Sequence, residues 1–350
     1  MKMTINSSSL KQIYLIFLTT AILTSCRHSK DVDVSNIDVK VTIDRFDKDL
    51  DAMRTRNREQ VAAELQKKYG PFYRDFMERI IQTGSLRDTN YLKVFGEVLA
   101  NQPYNDVKHE VDSIYPNLDK PNEELTDAFK HIKYYFPNKS LPKVYAYFSG
   151  FQLQTAVGDG YVGIGLDLFL GSESRFYNAA AIREVDPKYV SRRFTPDYIA
   201  PQVVATIVKE DMFPETDQDE KSLLTRMIYQ GKLLYFEDKI LPNMPDTLKI
   251  GYTGKQLKWC QDFKSSIWGF FMEENLLYET DYDKYQKYLG EAPFTPGLGE
   301  KNDSSPKLAV WTGWQIVREY MDKHPEVTLP QLMADHDAQK ILNESKYRPK

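Results

Sequence analysis

The run from Ile13 to Leu23, almost wholly apolar and followed at once by Thr24-Ser25-Cys26, constrains this chain more than any other stretch. Lys2 and Lys11 precede or border it and small residues follow it, which is the three-part order of an export signal. As a helix the run would rise about 16 Å, well short of the roughly 30 Å hydrocarbon core, so it does not read as a membrane span. Leu23-Thr24-Ser25-Cys26 resembles the bacterial lipobox, in which a branched apolar residue and two small ones precede the cysteine that receives diacylglycerol. Residues 1–25 therefore read as a lipoprotein signal peptide, and 26–36 as the lipidated Cys26 and a polar tether. Each buried methylene of an acyl chain contributes roughly 0.8 kcal/mol, so two or more chains on Cys26 make a durable membrane anchor.

No second long apolar stretch follows, and the hydrophobic share of 41% is that of a water-soluble globular chain. A formal charge of −4, mixed along the sequence, gives no electrostatic footprint for nucleic acid. Only two cysteines exist. With Cys26 acylated, Cys260 has no partner within the chain, so the expectation is a buried, inert thiol and no disulfide-built fold.

Ile37 to Ile43 alternates apolar and polar residues, the period of a half-buried strand. From Asp44 to Phe136 the spacing turns helical, with breaks at Gly70-Pro71, Gly84-Ser85, Gln102-Pro103 and Pro116 to Pro121, which predicts four or five helices. Val144–Phe148, Phe151–Val157 and Tyr161–Leu166 read as strands, and Gly158-Asp159-Gly160 marks a hairpin because Asp-Gly accepts positive φ. Helices are expected again at Pro196–Met212, Lys221–Leu241, Thr253–Tyr278, Val310–Met321 and Leu329–Leu342, with a Pro- and Gly-rich loop at Pro293–Pro306. The fold class is thus α+β, mostly helical, with a small antiparallel sheet and surrounding helices. Residues 37–142 form a mainly helical first part, and 143–350 a hairpin with helices, the two packed as one unit.

Motifs that carry chemistry are missing. His109, His131, His324 and His336 do not stand in the His-Glu-x-x-His spacing of a zinc site, and neither a nucleophile elbow nor a P-loop occurs. No catalytic residue, metal ligand or cofactor is assigned. Glu210-Asp211 reads as a solvated helix end, His324 and His336 as surface or capping residues, Asp159 as turn chemistry, and Asp167 as the cap of a helix starting at Leu168. Trp311 and Trp314, three apart, are a candidate binding platform for sugar rings, with packing in the core as the commoner alternative for such a pair.

Across nearly its whole length the chain resembles the gliding motility lipoprotein GldB family of the Bacteroidetes. The resemblance is carried by the lipobox, Ile43-Asp44-Arg45-Phe46-Asp47, Lys68-Tyr69-Gly70-Pro71-Phe72, Gly163 to Gly171, Met227 to Lys232, Trp311-Thr312-Gly313-Trp314-Gln315-Ile316-Val317 and Ser345 to Pro349. It implies a non-enzymatic envelope protein, partnered by other components of a gliding and protein-secretion machinery, and no cofactor. The order of hairpin and two helices is also similar to zinc metalloproteases of the zincin type. Ala205-Thr206-Ile207-Val208-Lys209 then stands where His-Glu-x-x-His would, and Gln230 where a glutamate would, so such a scaffold would lack its metal. The expected setting is a lipid anchor facing the periplasm. Competing readings are a glycan- or peptidoglycan-binding lipoprotein and an envelope hydrolase with an unfamiliar site.

Overall fold

Four short strands make the sheet around which the chain is built: β1 (Ile43–Arg45), β2 (Lys143–Tyr147), β3 (Thr155–Gly158) and β4 (Tyr161–Gly165), in the order β1-β2-β4-β3. The computed structural model describes residues 32–350 except 89, 216–220 and 300–302. Leu23, Thr24, Ser25 and Cys26, and with them the expected signal and acylation site, lie outside the described residues. Residues 36–350 form one compact unit.

The α+β class holds, but the sheet is mixed rather than antiparallel. Only the β3–β4 hairpin is antiparallel, with Val157 opposite Val162, while β2 runs parallel to both β1 and β4. The turn at Gly158-Asp159-Gly160 has Gly160 at φ 74°, as the Asp-Gly signal requires. The two expected outer strands are shorter than their alternation suggested. From Ile37 to Thr42 the chain is unpaired with a strand: the Val39 N–H donates to the Ile37 carbonyl (3.0 Å), and the N–H groups of Val41 and Ile43 donate to Thr126 Oγ1 (2.9 Å) and Asn122 Oδ1 (2.8 Å) on a neighbouring helix. Phe151 to Gln154 likewise leaves the sheet.

Period-two alternation gives the sheet two buried faces. Ile43, Val144, Ala146, Val162 and Ile164 face the larger hydrophobic core, whereas Tyr145, Tyr147, Tyr161 and Ala156 face the second. Gly163 and Gly165 occupy the second face without side chains, and a Cβ on Gly163 would sit 2.8 Å from the Tyr147 ring. Their bareness makes room for Tyr147, whose hydroxyl donates to the Leu153 carbonyl at 2.7 Å. Opposite them stand α1 (Arg58–Tyr69) and α2 (Pro71–Asp75), joined by Gly70 at φ 54° with Pro71 at the first position of the next helix. Phe46 packs edge-on against Tyr69, Phe72 and Phe76 at ring distances of 4.9, 4.9 and 4.8 Å.

The helical region continues with α3 (Asn90–Ala100), α4 (Gln102–Ile114) and α5 (Asp119–Tyr135). Beyond the sheet come α6 (Ile199–Thr206), which runs on as a wide π-helical stretch through Ile207–Met212, and α7 (Leu223–Ile240). The expected helix at Thr253–Tyr278 is broken into α8 (Gly254–Asp262) and α9 (Lys264–Glu273), because Phe263 leaves helical geometry at φ −109°, ψ 17° and Asn275 turns left-handed. Then follow α10 (Leu308–Lys323), α11 (Leu329–Ala334) and α12 (Ala338–Ser345), the last two separated by Asp335 to Asp337 where the spacing predicts one helix.

Helices α7 and α10 cross with their backbones in contact. A Cβ on Gly313 would lie 1.9 Å from the Met227 carbonyl oxygen, and one on Gly231 would lie 2.4 Å from the Gly313 carbonyl carbon. That crossing explains two glycines within the motifs Met227–Lys232 and Trp311–Trp314.

Candidate functional site

The cavity with most chemistry on its walls lies between α6 and α7 and has a volume of about 430 Å³. Ala205 and Lys209, one helical turn apart, line it from the first helix and its π-helical extension; Gln230, Leu234 and Glu237 line it from the second. Gln154 enters from the segment before β3, and Arg193, Lys249, Glu291 and Lys307 from the loops and helix starts that close the far side. Apolar walls are supplied by Phe194, Pro201, Leu233 and Ile250.

Two features make this cavity unlike a packing defect. Glu237 is 3% exposed, and its Oε2 atom has no hydrogen-bond partner. Burial pushes its carboxyl pKa well above the ordinary value, against the pull of Lys249 and Lys307 and with a further push from Asp238. A buried polar atom left unpaired costs roughly 1–3 kcal/mol, so its retention calls for a reason. On the opposite wall Arg193 Nη1 and Lys307 Nζ both donate to the same oxygen of Glu291, at 2.8 and 2.7 Å. Burial opposes the charge on Glu291, but these two cations outweigh it and hold its pKa below the ordinary value. Lys307 also donates to the Ile250 carbonyl at 2.6 Å, and its backbone is left-handed at φ 52° just before α10. Such strain in a residue other than glycine costs energy that surrounding contacts must offset.

Lys249 is held away from this arrangement by Asp238, its partner at 3.0 Å. Asp238 also accepts from both Nε and Nη2 of Arg318 and from Trp314 Nε1, while Arg318 reaches Asp246. The Arg318 guanidinium lies 3.7 Å from the Trp314 ring. Trp314 is fully buried and Trp311 is 3% exposed, so neither offers an open ring face to a sugar. Of the two readings of Trp311 and Trp314, packing in the core is the one the burial of both rings matches.

Thr206, at the position where a zinc protease would carry its glutamate, points into the protein and pairs with Thr155 Oγ1 at 2.8 Å. Ala205 and Lys209, set against the two histidines, do face the cavity with Gln230, yet none of the three is a carboxylate or an imidazole. Among the described residues no group of three His, Cys, Asp or Glu side chains is placed to hold a metal ion. Glu210 is exposed and Asp211 pairs with Lys139 at 2.6 Å; neither belongs to the cavity. His324 lies 3.2 Å from Glu326 and His336 is exposed. Cys260 is buried, and burial raises its thiol to about 12.

The capping role expected of Asp167 is not what the structure shows. It caps no helix from Leu168 but sits in a single tight turn, Leu166–Leu168, with no exposure. Its carboxylate accepts from the Ser149 N–H (3.2 Å), the Ser149 hydroxyl (3.3 Å) and the Phe151 N–H, which is what pulls residues 149–151 out of the sheet. Burial nevertheless raises its pKa to about 6. Arg193, Glu291 and Lys307 do not stand out in the sequence. Glu237 alone carries a signal there, as an acid flanked by Leu233, Leu234, Phe236 and Ile240 on a helix buried all round.

A helix-dominated α+β body with a sheet covered on both faces, and a cavity bearing mixed charge and, among the described residues, no group of three side chains placed to hold a metal, defines the class of protein. The family model described as "Gliding motility protein GldB" matches residues 27–349, and the chain belongs to that family of gliding motility lipoproteins. No curated protein and no solved structure matches it.

Proposed function

We propose that this protein is a lipid-anchored, non-catalytic component of the cell-envelope machinery for movement over surfaces and for the protein secretion associated with it, facing the periplasm and working by binding other components. The observation that carries this reading is the family match, which begins at the residue after Cys26 and runs to the penultimate residue of the chain. Three further points support it. Among the described residues no helix is long and apolar enough to cross a membrane, which suits attachment through acyl chains. The residues that carry the family likeness hold the body together: Phe46, Tyr69 and Phe72 fill the aromatic core, and Gly231 and Gly313 allow the crossing of α7 and α10. Ala205, Lys209 and Gln230 give the zincin-like positions no ligand chemistry, which favours binding over hydrolysis at this place.

The test is deletion of the gene in its host, restored by wild type or by Cys26→Ala, with surface spreading and outer-membrane secretion measured. Loss of both, rescued by the wild type and not by Cys26→Ala, is the expected result. Normal spreading and secretion in the deletion strain would overturn the role. Protease treatment of intact cells checks the side of the membrane, since degradation without lysis contradicts the periplasmic placement.

A further inference from the structure

From the geometry of the cavity between α6 and α7, we infer that it binds the free carboxyl end of a peptide whose last residue carries an apolar side chain. This deepens the binding reading above by naming a ligand class.

Charge comes first. Arg193 and Lys307 share one oxygen of Glu291, so two cations are answered by one anion at that wall. Arg193 has five N–H donors and Lys307 three, and a single shared acceptor with one backbone carbonyl leaves donors to spare. Lys209 stands at the exposed rim and adds positive charge. An arriving carboxylate completes this set, and an Arg–carboxylate contact is among the stronger charge-assisted hydrogen bonds.

The remaining walls select what the carboxylate is attached to. Phe194, Pro201, Leu233 and Ile250 suit an aliphatic or aromatic side chain, and a cavity of about 430 Å³ holds a dipeptide-sized group. Gln154 and Gln230 bring side-chain amides that both donate and accept, as the peptide backbone of such a ligand does. Glu237 also lines the cavity from α7, with its Oε2 buried and unpaired. Burial disfavours the charged form of its carboxyl, which lessens its repulsion of an anion. A bare phosphate would leave the apolar walls and the Gln230 amide without partners.

The experiment is calorimetric titration of the purified mature lipoprotein in detergent with three probes: N-acetyl-Ala-Leu bearing a free carboxylate, the same dipeptide as its C-terminal amide, and inorganic phosphate. Saturable binding of the acid is expected, at least tenfold tighter than the amide and than phosphate. Arg193→Gln should weaken the acid at least tenfold, whereas Arg56→Gln, in an exposed ion pair with Glu64 that lines no part of the cavity, should stay within about threefold of wild type. Equal affinity for acid and amide, no binding of the acid to folded wild type, or preference for phosphate would each overturn the assignment. The wild-type comparison needs no variant to fold. A failed titration sinks the ligand while leaving the deletion phenotype to judge the envelope role, so the two failures are distinguishable.

Discussion

Glu237 is a side chain the fold keeps at a cost. Its carboxyl is buried with an unpaired oxygen and with its pKa raised well above that of an unfolded chain. Above the ordinary carboxylate range the unfolded state has released its proton and the folded state has not, so stability declines as pH rises through that window. Glu237→Gln has no proton to hold and should be more stable than wild type at neutral pH, with the difference vanishing below the ordinary glutamate pKa; denaturant midpoints at pH 4 and 7 measure it. A stabilising replacement in a native core is the pattern of a residue retained for something other than folding. Asp167 is the contrasting case. Its pKa of about 6 likewise makes stability fall as pH rises from about 4 to 6, by about 3 kcal/mol across that window. Its carboxylate, however, accepts every donor offered by Ser149 and Phe151. Asp167→Asn points an NH₂ group at those donors, so at neutral pH it should still cost about 1–3 kcal/mol in equilibrium unfolding, with a shallower pH slope from 4 to 6 than the wild type.

At the scale of elements, what was legible in the sequence is what local chemistry decides. Gly70-Pro71 ends one helix and starts the next, Gly158-Asp159-Gly160 turns a hairpin, and Pro242 follows the end of α7, each by a backbone preference of the residues present. The pairing of β2 with β1 and β4 was not legible, since it joins segments about a hundred residues apart or passes over the hairpin, and alternation alone does not name a strand's neighbour. The same limit hid the cavity. Arg193, Glu237, Glu291 and Lys307 come from four separate segments and carry no common spacing. The crossing of α7 and α10 was hidden too, although both glycines stood in motifs. Gly313→Ala places a methyl group against the Met227 carbonyl, closer than any non-bonded contact allows, and should destabilise the protein by about 2–3 kcal/mol in denaturant unfolding. Phe72→Ala removes a ring that contacts Phe46, Tyr145 and Tyr161 and should cost about 3–5 kcal/mol.

For the whole molecule, the question is what the proposed anchor adds to the compact body of residues 36–350. Both hydrophobic cores, the sheet between them and the cavity are contained within residues 36–350. The proposed acylation of Cys26 then contributes location rather than stability, since each lipid methylene gains its free energy from the bilayer and not from contact with the fold. Cys26→Ala should then appear in the soluble fraction after cell breakage, yet unfold at the same denaturant midpoint as wild-type protein extracted in detergent, and titrate the N-acetyl-Ala-Leu acid with the same affinity. If surface spreading is nonetheless lost in that strain, the deficit lies in where the cavity is presented and not in whether it forms. A lowered midpoint in the unacylated protein would contradict this division, because it would mean that the lipid or the tether takes part in holding the body together.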